Sequence, residues 1–160
     1  MPLPIYLTIA ILLILYMFFM RKPLNFLHNS IIYMVIVFFG TQFITIVRME
    51  FHLMEKSSGH LDYVSFLLYR NILLPAVVLI FLNYYLQQQA GKYKMVLLLF
   101  CTLLLAGLDW LNNYFGILMY TRWNLLFSVV VDVVYLLIAL GVLKLLLKTN
   151  IRESNRDENI

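Results

Sequence analysis

Apolar residues in this chain come in long unbroken stretches separated by short polar turns. Met1 to Met20 holds no charged residue, and Pro23 to Val47 holds none unless His28 is protonated. Each stretch reaches or exceeds the roughly 20 residues that a helix needs to cross hydrocarbon. Arg21 and Lys22 favour head groups and Pro23 cannot continue a helical ladder, so they close the first stretch. Three further stretches follow, and the pattern predicts spans over about 3–20, 24–47, 63–86, 95–118 and 123–143.

An unpaired amide in hydrocarbon costs several kcal/mol, which leaves helices and closed barrels as spanning structures. The alternation of barrel strands is missing from these stretches. The predicted fold class is therefore all-α: an integral membrane bundle of five transmembrane helices. It forms a single domain over 1–148, followed by a polar, disordered cytoplasmic tail over 149–160. The longest loop, 48–62, contains the turn-prone Ser57-Ser58-Gly59. The first stretch reads as a span and not as a signal peptide, because Phe18-Phe19-Met20-Arg21-Lys22 is no small-residue cleavage site.

Composition sharpens this picture. Apolar residues make up 63% of the chain and charged ones 12%, against about a quarter charged in a soluble domain, which excludes a water-soluble globule. The net charge of +4 does not point to nucleic acid, since the cations flank apolar runs instead of forming a polar stripe. They act as topology signals: Arg21, Lys22, Lys92, Lys94, Lys144, Lys148, Arg152 and Arg156 fall on one side, and Arg48, Lys56 and Arg122 on the other. The side richer in Lys and Arg is expected to be cytoplasmic, with the N-terminus outside. Compactness and richness in Ile, Phe, Tyr and Asn associate with a bacterial cytoplasmic membrane. Cys101 is the only cysteine, so internal disulfides and CxxC metal or redox chemistry are excluded.

Arg70, Asp109 and Asp132 carry the candidate chemistry, because a charge within a span costs about 2.5–3.5 kcal/mol and is seldom kept without a partner. At 1.5 Å per residue the three lie about 9–13 Å below the outer surface. The expectation is that Arg70 reaches one or both aspartates. Two acids against one Arg leave excess negative charge, which calls for a proton or a cation. Asn112 and Asn113 share a face with Asp109, Ser128 precedes Asp132 by four residues, and Gln42, with Thr41 and Thr45, brings the second span to the same level. Asn71 joins the layer because Pro75, the predicted helix kink, cannot donate to its carbonyl. A neighbouring helix is the expected source of that missing donor.

The outer loop offers Glu50, His52, Glu55, His60 and Asp62 as metal candidates, His52, Glu55 and His60 foremost, but their spacing matches no ligand pattern and they read as solvated loop residues. No nucleophile stands in a GxSxG-like turn, and His28 lies near the opposite surface from the aspartates. No cofactor is implied. Lys144, Lys148 and Arg152 recur every four residues and suit anionic head groups. The expected partners are the lipid bilayer and other membrane proteins or a second copy of the chain.

The leading functional expectation is a non-enzymatic accessory, regulatory or sensor component of a membrane complex. The alternative is a small ion- or proton-coupled transporter or channel subunit using the Arg/Asp/Asp layer, and the third is a membrane-embedded enzyme. The predicted orientation has a direct check. With Cys101 replaced, a single cysteine at Lys56 should react with an impermeant thiol reagent added outside intact cells, and one at Lys92 should not; the reverse pattern would overturn the topology.

Overall fold

The computed structural model describes residues 2–21, 23–49, 54–56, 60–120 and 125–157; for 44–49, 54–56, 60, 118–120, 125 and 150–157 it describes the backbone alone. Helices dominate it. They are α1 (Leu3–Phe19), α2 (Phe26–Met49), α3 (His60–Leu68), a π-helical turn (Tyr69–Leu73), α4 (Leu74–Gln87), α5 (Gly91–Tyr114) and α6 (Leu125–Asp157). Because α3, the π turn and α4 run on without a break, the helices amount to five rods. Four of them are long and apolar enough to cross a membrane, and α1 is a shorter apolar helix of 17 residues. The chain has the character of an integral membrane protein.

The third rod is the centre of the bundle. It packs against α1, α2, α5 and α6, and more of its surface is buried than in any of the other three long rods. Leu73, Val78, Phe81 and Leu82 on it are enclosed together with Ile32 and Ile36 of α2, Leu105 of α5, and Leu136 and Leu143 of α6. α1 presents a narrow seam at four- and three-residue steps: Tyr6 and Ala10 are buried, and Leu13 and Met17 pack against the core. Most of its other large apolar residues, among them Ile11, Leu15, Phe18 and Phe19, face outward. Lipid tails are as apolar as leucine, so what holds such rods together is close packing and polar contacts between helices.

Those polar contacts are present at both ends. At the basic end, which carries Arg21, Lys94 and Lys144, the hydroxyls of Tyr16 and Tyr84 are hydrogen-bonded to each other. There Gln87 Nε2 donates to the Arg21 carbonyl at 3.1 Å, and Asn83 Nδ2 donates to Asn29 Oδ1 at 3.0 Å. At the opposite end the Tyr6 hydroxyl donates to Asn112 Oδ1 at 2.8 Å, tying α1 to α5.

Three boundaries depart from the sequence expectation. The fourth span, expected over 95–118, runs from Gly91 to Tyr114. Its start is earlier because lysine is a good helix former whose stem can reach back to the head groups, so Lys92 and Lys94 fit within the helix. Its end is earlier because Gly116 adopts φ 66°, the left-handed conformation. Ile117 N–H bonds the Asn112 carbonyl at 2.9 Å, Gly116 N–H bonds that of Asn113 at 3.0 Å, and the Ile117 side chain is buried, which together make a Schellman cap.

Past this cap, Leu118–Tyr120 (β2) is extended and pairs antiparallel with Met54–Lys56 (β1), with Glu55 opposite Met119. The fold is thus all-helical, with one short ladder joining its two longer loops. The ladder pairs backbone groups that would otherwise lack partners close to the hydrocarbon. The last helix is also longer than expected: it continues through the segment expected to be a disordered tail, as far as Asp157. No Gly or Pro interrupts residues 142–157, and extending a formed helix requires no new nucleation.

Gly116 is the position where this geometry can be tested most simply. A left-handed conformation costs an L-residue about 1–2 kcal/mol, so Gly116→Ala should lower the unfolding free energy in lipid or detergent by about that amount. An unchanged denaturation midpoint would show that the helix end does not depend on the glycine.

Candidate functional site: a buried carboxyl and hydroxyl cluster

The π turn determines which side chains face the bundle interior. An extra residue in the turn gives bonds five residues apart, such as that from Leu74 N–H to the Tyr69 carbonyl, and the turn lies immediately before Pro75. The Asn71 carbonyl, to which Pro75 cannot donate in an α-helix, accepts the Tyr33 hydroxyl of α2 at 2.8 Å. A neighbouring helix thus supplies the donor.

With this phase Tyr69 is buried and its hydroxyl hydrogen-bonds Oδ1 of Asp109 on α5. Ser128 of α6 is hydrogen-bonded to the same carboxyl group. Asp132, one helical turn along α6, is only 2% exposed and lies close enough to Asp109 for their charges to interact. One of its oxygens, Oδ2, has no hydrogen-bond partner among the described residues. The hydroxyl of Tyr135, three residues further on and 6% exposed, has none among them either. Tyr135 lies edge-on to Phe43, and its hydroxyl is 3.8 Å from where a Cβ on Gly40 would stand. Four elements, α2, the π turn, α5 and α6, therefore enclose two carboxyl groups and three hydroxyls.

The expected partnership of Arg70 with the aspartates is not formed. Its Nε donates to Asn71 Oδ1 at 3.2 Å, and its guanidinium lies 5.5 Å from the centre of the Phe66 ring. Successive helical residues point about 100° apart. When Tyr69 takes the inward position, its neighbour Arg70 is turned along the rod's flank, where a π face and an amide oxygen take the place of a carboxylate.

The other expected members of the layer divide in the same way. Asn112 and Ser128 are buried within the bundle. Asn113 and Gln42 are exposed and contribute nothing to the cluster, although sequence spacing put them on its face. The physical reason is that the seam is narrow: Asn112 is directed at Tyr6, and the next residue is already on the lipid side. Thr41 bonds back to its own helix at Val37, at 2.8 Å.

Outside this cluster, Cys101 is a buried core residue and His28 is buried at the basic end. Lys144 and Lys148 are exposed, while only the backbone of Arg152 is described. His52 lies outside the described residues, Glu55 stands in β1 and His60 opens α3. Among the described residues no group of three His, Cys, Asp or Glu side chains is placed to hold a metal ion.

Sequence reading overlooked the hydroxyls, those of Tyr6, Tyr33, Tyr69 and Tyr135. A tyrosine well inside a span carries a polar tip that usually finds a partner when buried. Tyr69 and Tyr135 stand at the depth of the aspartates, and that was the available signal. Comparisons with protein-family models, with curated proteins and with solved structures find no match.

Two variants separate the roles of adjacent residues. Leaving a buried acceptor unsatisfied costs about 1–3 kcal/mol. Tyr69→Phe should therefore lower unfolding stability by that amount, whereas Arg70→Leu should leave the yield of folded protein close to wild type. A collapse of yield with Arg70→Leu and none with Tyr69→Phe would restore the arginine as partner of the acids.

Proposed function

We propose that this chain is a non-enzymatic protein of the bacterial cytoplasmic membrane, acting as a sensor or accessory component of a membrane complex. Its ligand is a proton or a small cation taken up at Asp132, Tyr135 and Asp109. All five rods are spans in this reading, with the N-terminus outside and the C-terminus cytoplasmic, as the distribution of Lys and Arg favours.

The observation that carries the proposal is the pair of unpartnered groups. Asp132 Oδ2 and the Tyr135 hydroxyl are both enclosed without a hydrogen-bond partner among the described residues, beside a second carboxyl group. A buried acceptor of this kind is costly unless something fills its need. A proton, a bound water or a small cation meets it, and the neighbouring Asp109 makes an anion unsuitable.

The sensor reading is preferred over a carrier because of what lies between this cluster and the basic end. Leu73, Leu105, Leu136, Ala139 and Leu143 fill that space as buried apolar side chains; the buried Thr102 on α5 donates back to the Leu98 carbonyl of its own helix at 2.9 Å, and no chain of ionisable groups runs through them among the described residues. An ionisable group that marks a transport path is normally part of a chain of such groups. Binding at the cluster would instead alter how α5 and α6 pack on the third rod, and a partner in the membrane would respond.

Trp110, next to Asp109 and stacked on Tyr114 at 5.5 Å, gives an optical test. In a Trp123→Phe background in lipid discs, Trp110 emission should change with pH or with Na⁺, and Asp132→Asn should flatten the response while preserving helical content. Identical curves for the two proteins would defeat the proposal. Proton or Na⁺ flux in liposomes that disappears in Asp132→Asn would replace the sensor with a carrier.

A further inference from the structure

A second feature lies at the other end of the molecule and does not depend on the carboxyl cluster. Between α5 and α6, where they meet the end of α4, a groove of about 530 Å³ opens toward the surroundings. Lys94 and Lys144 stand at its basic rim, Tyr85 forms one wall, and Leu98, Leu137 and Leu140 line it further along. Gly141 of α6 also lines it, and a Cβ built there meets nothing within 4 Å.

The groove is thus divided by chemistry along its length. Numbered from the rim, Lys144, Gly141, Leu140 and Leu137 descend along α6, and Lys94, Met95 and Leu98 descend along α5. The two cations lie near the basic ends of the apolar rods Gly91–Tyr114 and Leu126–Thr149, and an apolar trough runs from them toward the bundle's middle. Lys94 Nζ is held 4.9 Å from the centre of the Tyr85 ring, which fixes one of the charges beside the opening.

We infer that this groove binds one anionic phospholipid, its head-group phosphate between Lys94 and Lys144 and an acyl chain lying over Leu98, Leu140 and Gly141. The chemistry selects this occupant. Basic pockets between spans recognise phosphorylated head groups, whereas a transmembrane helix of a partner would have to bury two lysines against its own apolar face. A zwitterionic lipid fits the trough but brings its own cation to the rim. The missing side chain at Gly141 leaves room for the acyl chain where any larger residue would fill it.

The test is native mass spectrometry of the full chain released from vesicles containing equal phosphatidylglycerol and phosphatidylcholine. Wild-type protein should retain one phosphatidylglycerol in preference to phosphatidylcholine, and millimolar inorganic phosphate should not displace it. Lys94→Gln with Lys144→Gln should reduce that retention by about fivefold per lysine, about thirtyfold for the pair. The control pair Arg21→Gln with Lys92→Gln removes equal charge at the same end but outside the groove and should have little effect. Gly141→Leu keeps both lysines and should also release the lipid, with helical content unchanged by circular dichroism. Equal losses from the two pairs would reduce the effect to diffuse surface charge and overturn the site. Full retention by Gly141→Leu, or displacement by phosphate alone, would overturn the acyl-chain placement.

Discussion

The third rod can occupy the middle of the bundle only if the backbone groups disturbed near Pro75 find partners away from water. Hydrocarbon supplies none, so the requirement falls on neighbouring helices. A π turn accommodates the irregularity, and the Tyr33 hydroxyl of α2 reaches the Asn71 carbonyl across the interface. This single contact joins three levels of organisation. It completes the rod's hydrogen bonding, it fixes α2 against the rod, and with the turn it sets the rotation that brings Tyr69 inward and leaves Arg70 on the flank.

That rotation determines the electrostatics of the interior. An arginine between the two aspartates would have made a buried ion pair, whose role is chiefly to specify neighbours and whose removal from one side is strongly destabilising. A tyrosine in its place offers one hydrogen bond and no charge. The cluster therefore consists of Asp109 with hydroxyl donors from the π turn and α6, and of Asp132, whose Oδ2, like the Tyr135 hydroxyl, has no hydrogen-bond partner among the described residues. The polar contacts at the basic end differ in kind. Amides and hydroxyls there pair neutrally across α1, α2 and α4 and do the work of holding rods in place. The bundle thus keeps its buried carboxyl groups toward one end and its surface lysines at the other, with neutral ties at both.

How much of this was legible in the residues varies with the physics involved. Helical spans follow from local, one-dimensional facts, the length of apolar runs and the cost of bare amides, so α1, α2 and the third rod were expected within a few residues of where they stand. Rod ends were harder. Gly116 ends α5 because its missing Cβ permits φ 66°, a signal present in the sequence but competing with the apolar Ile117-Leu118-Met119 that follows it. The pairing of Met54–Lys56 with Leu118–Tyr120 joins segments more than sixty residues apart, and nothing local to either announces the other.

By itself the sequence determined the solvent, the helical class and the depth at which ionisable residues must lie, because each depends on counting residues along a rod of known rise. Only the tertiary structure decided which of those residues meet. A helix places consecutive side chains about 100° apart, so one inserted residue at the π turn exchanges Tyr69 for Arg70 as the neighbour of Asp109, and a narrow seam admits Asn112 while excluding Asn113. Depth is a property of the chain, but azimuth is set by packing against other rods.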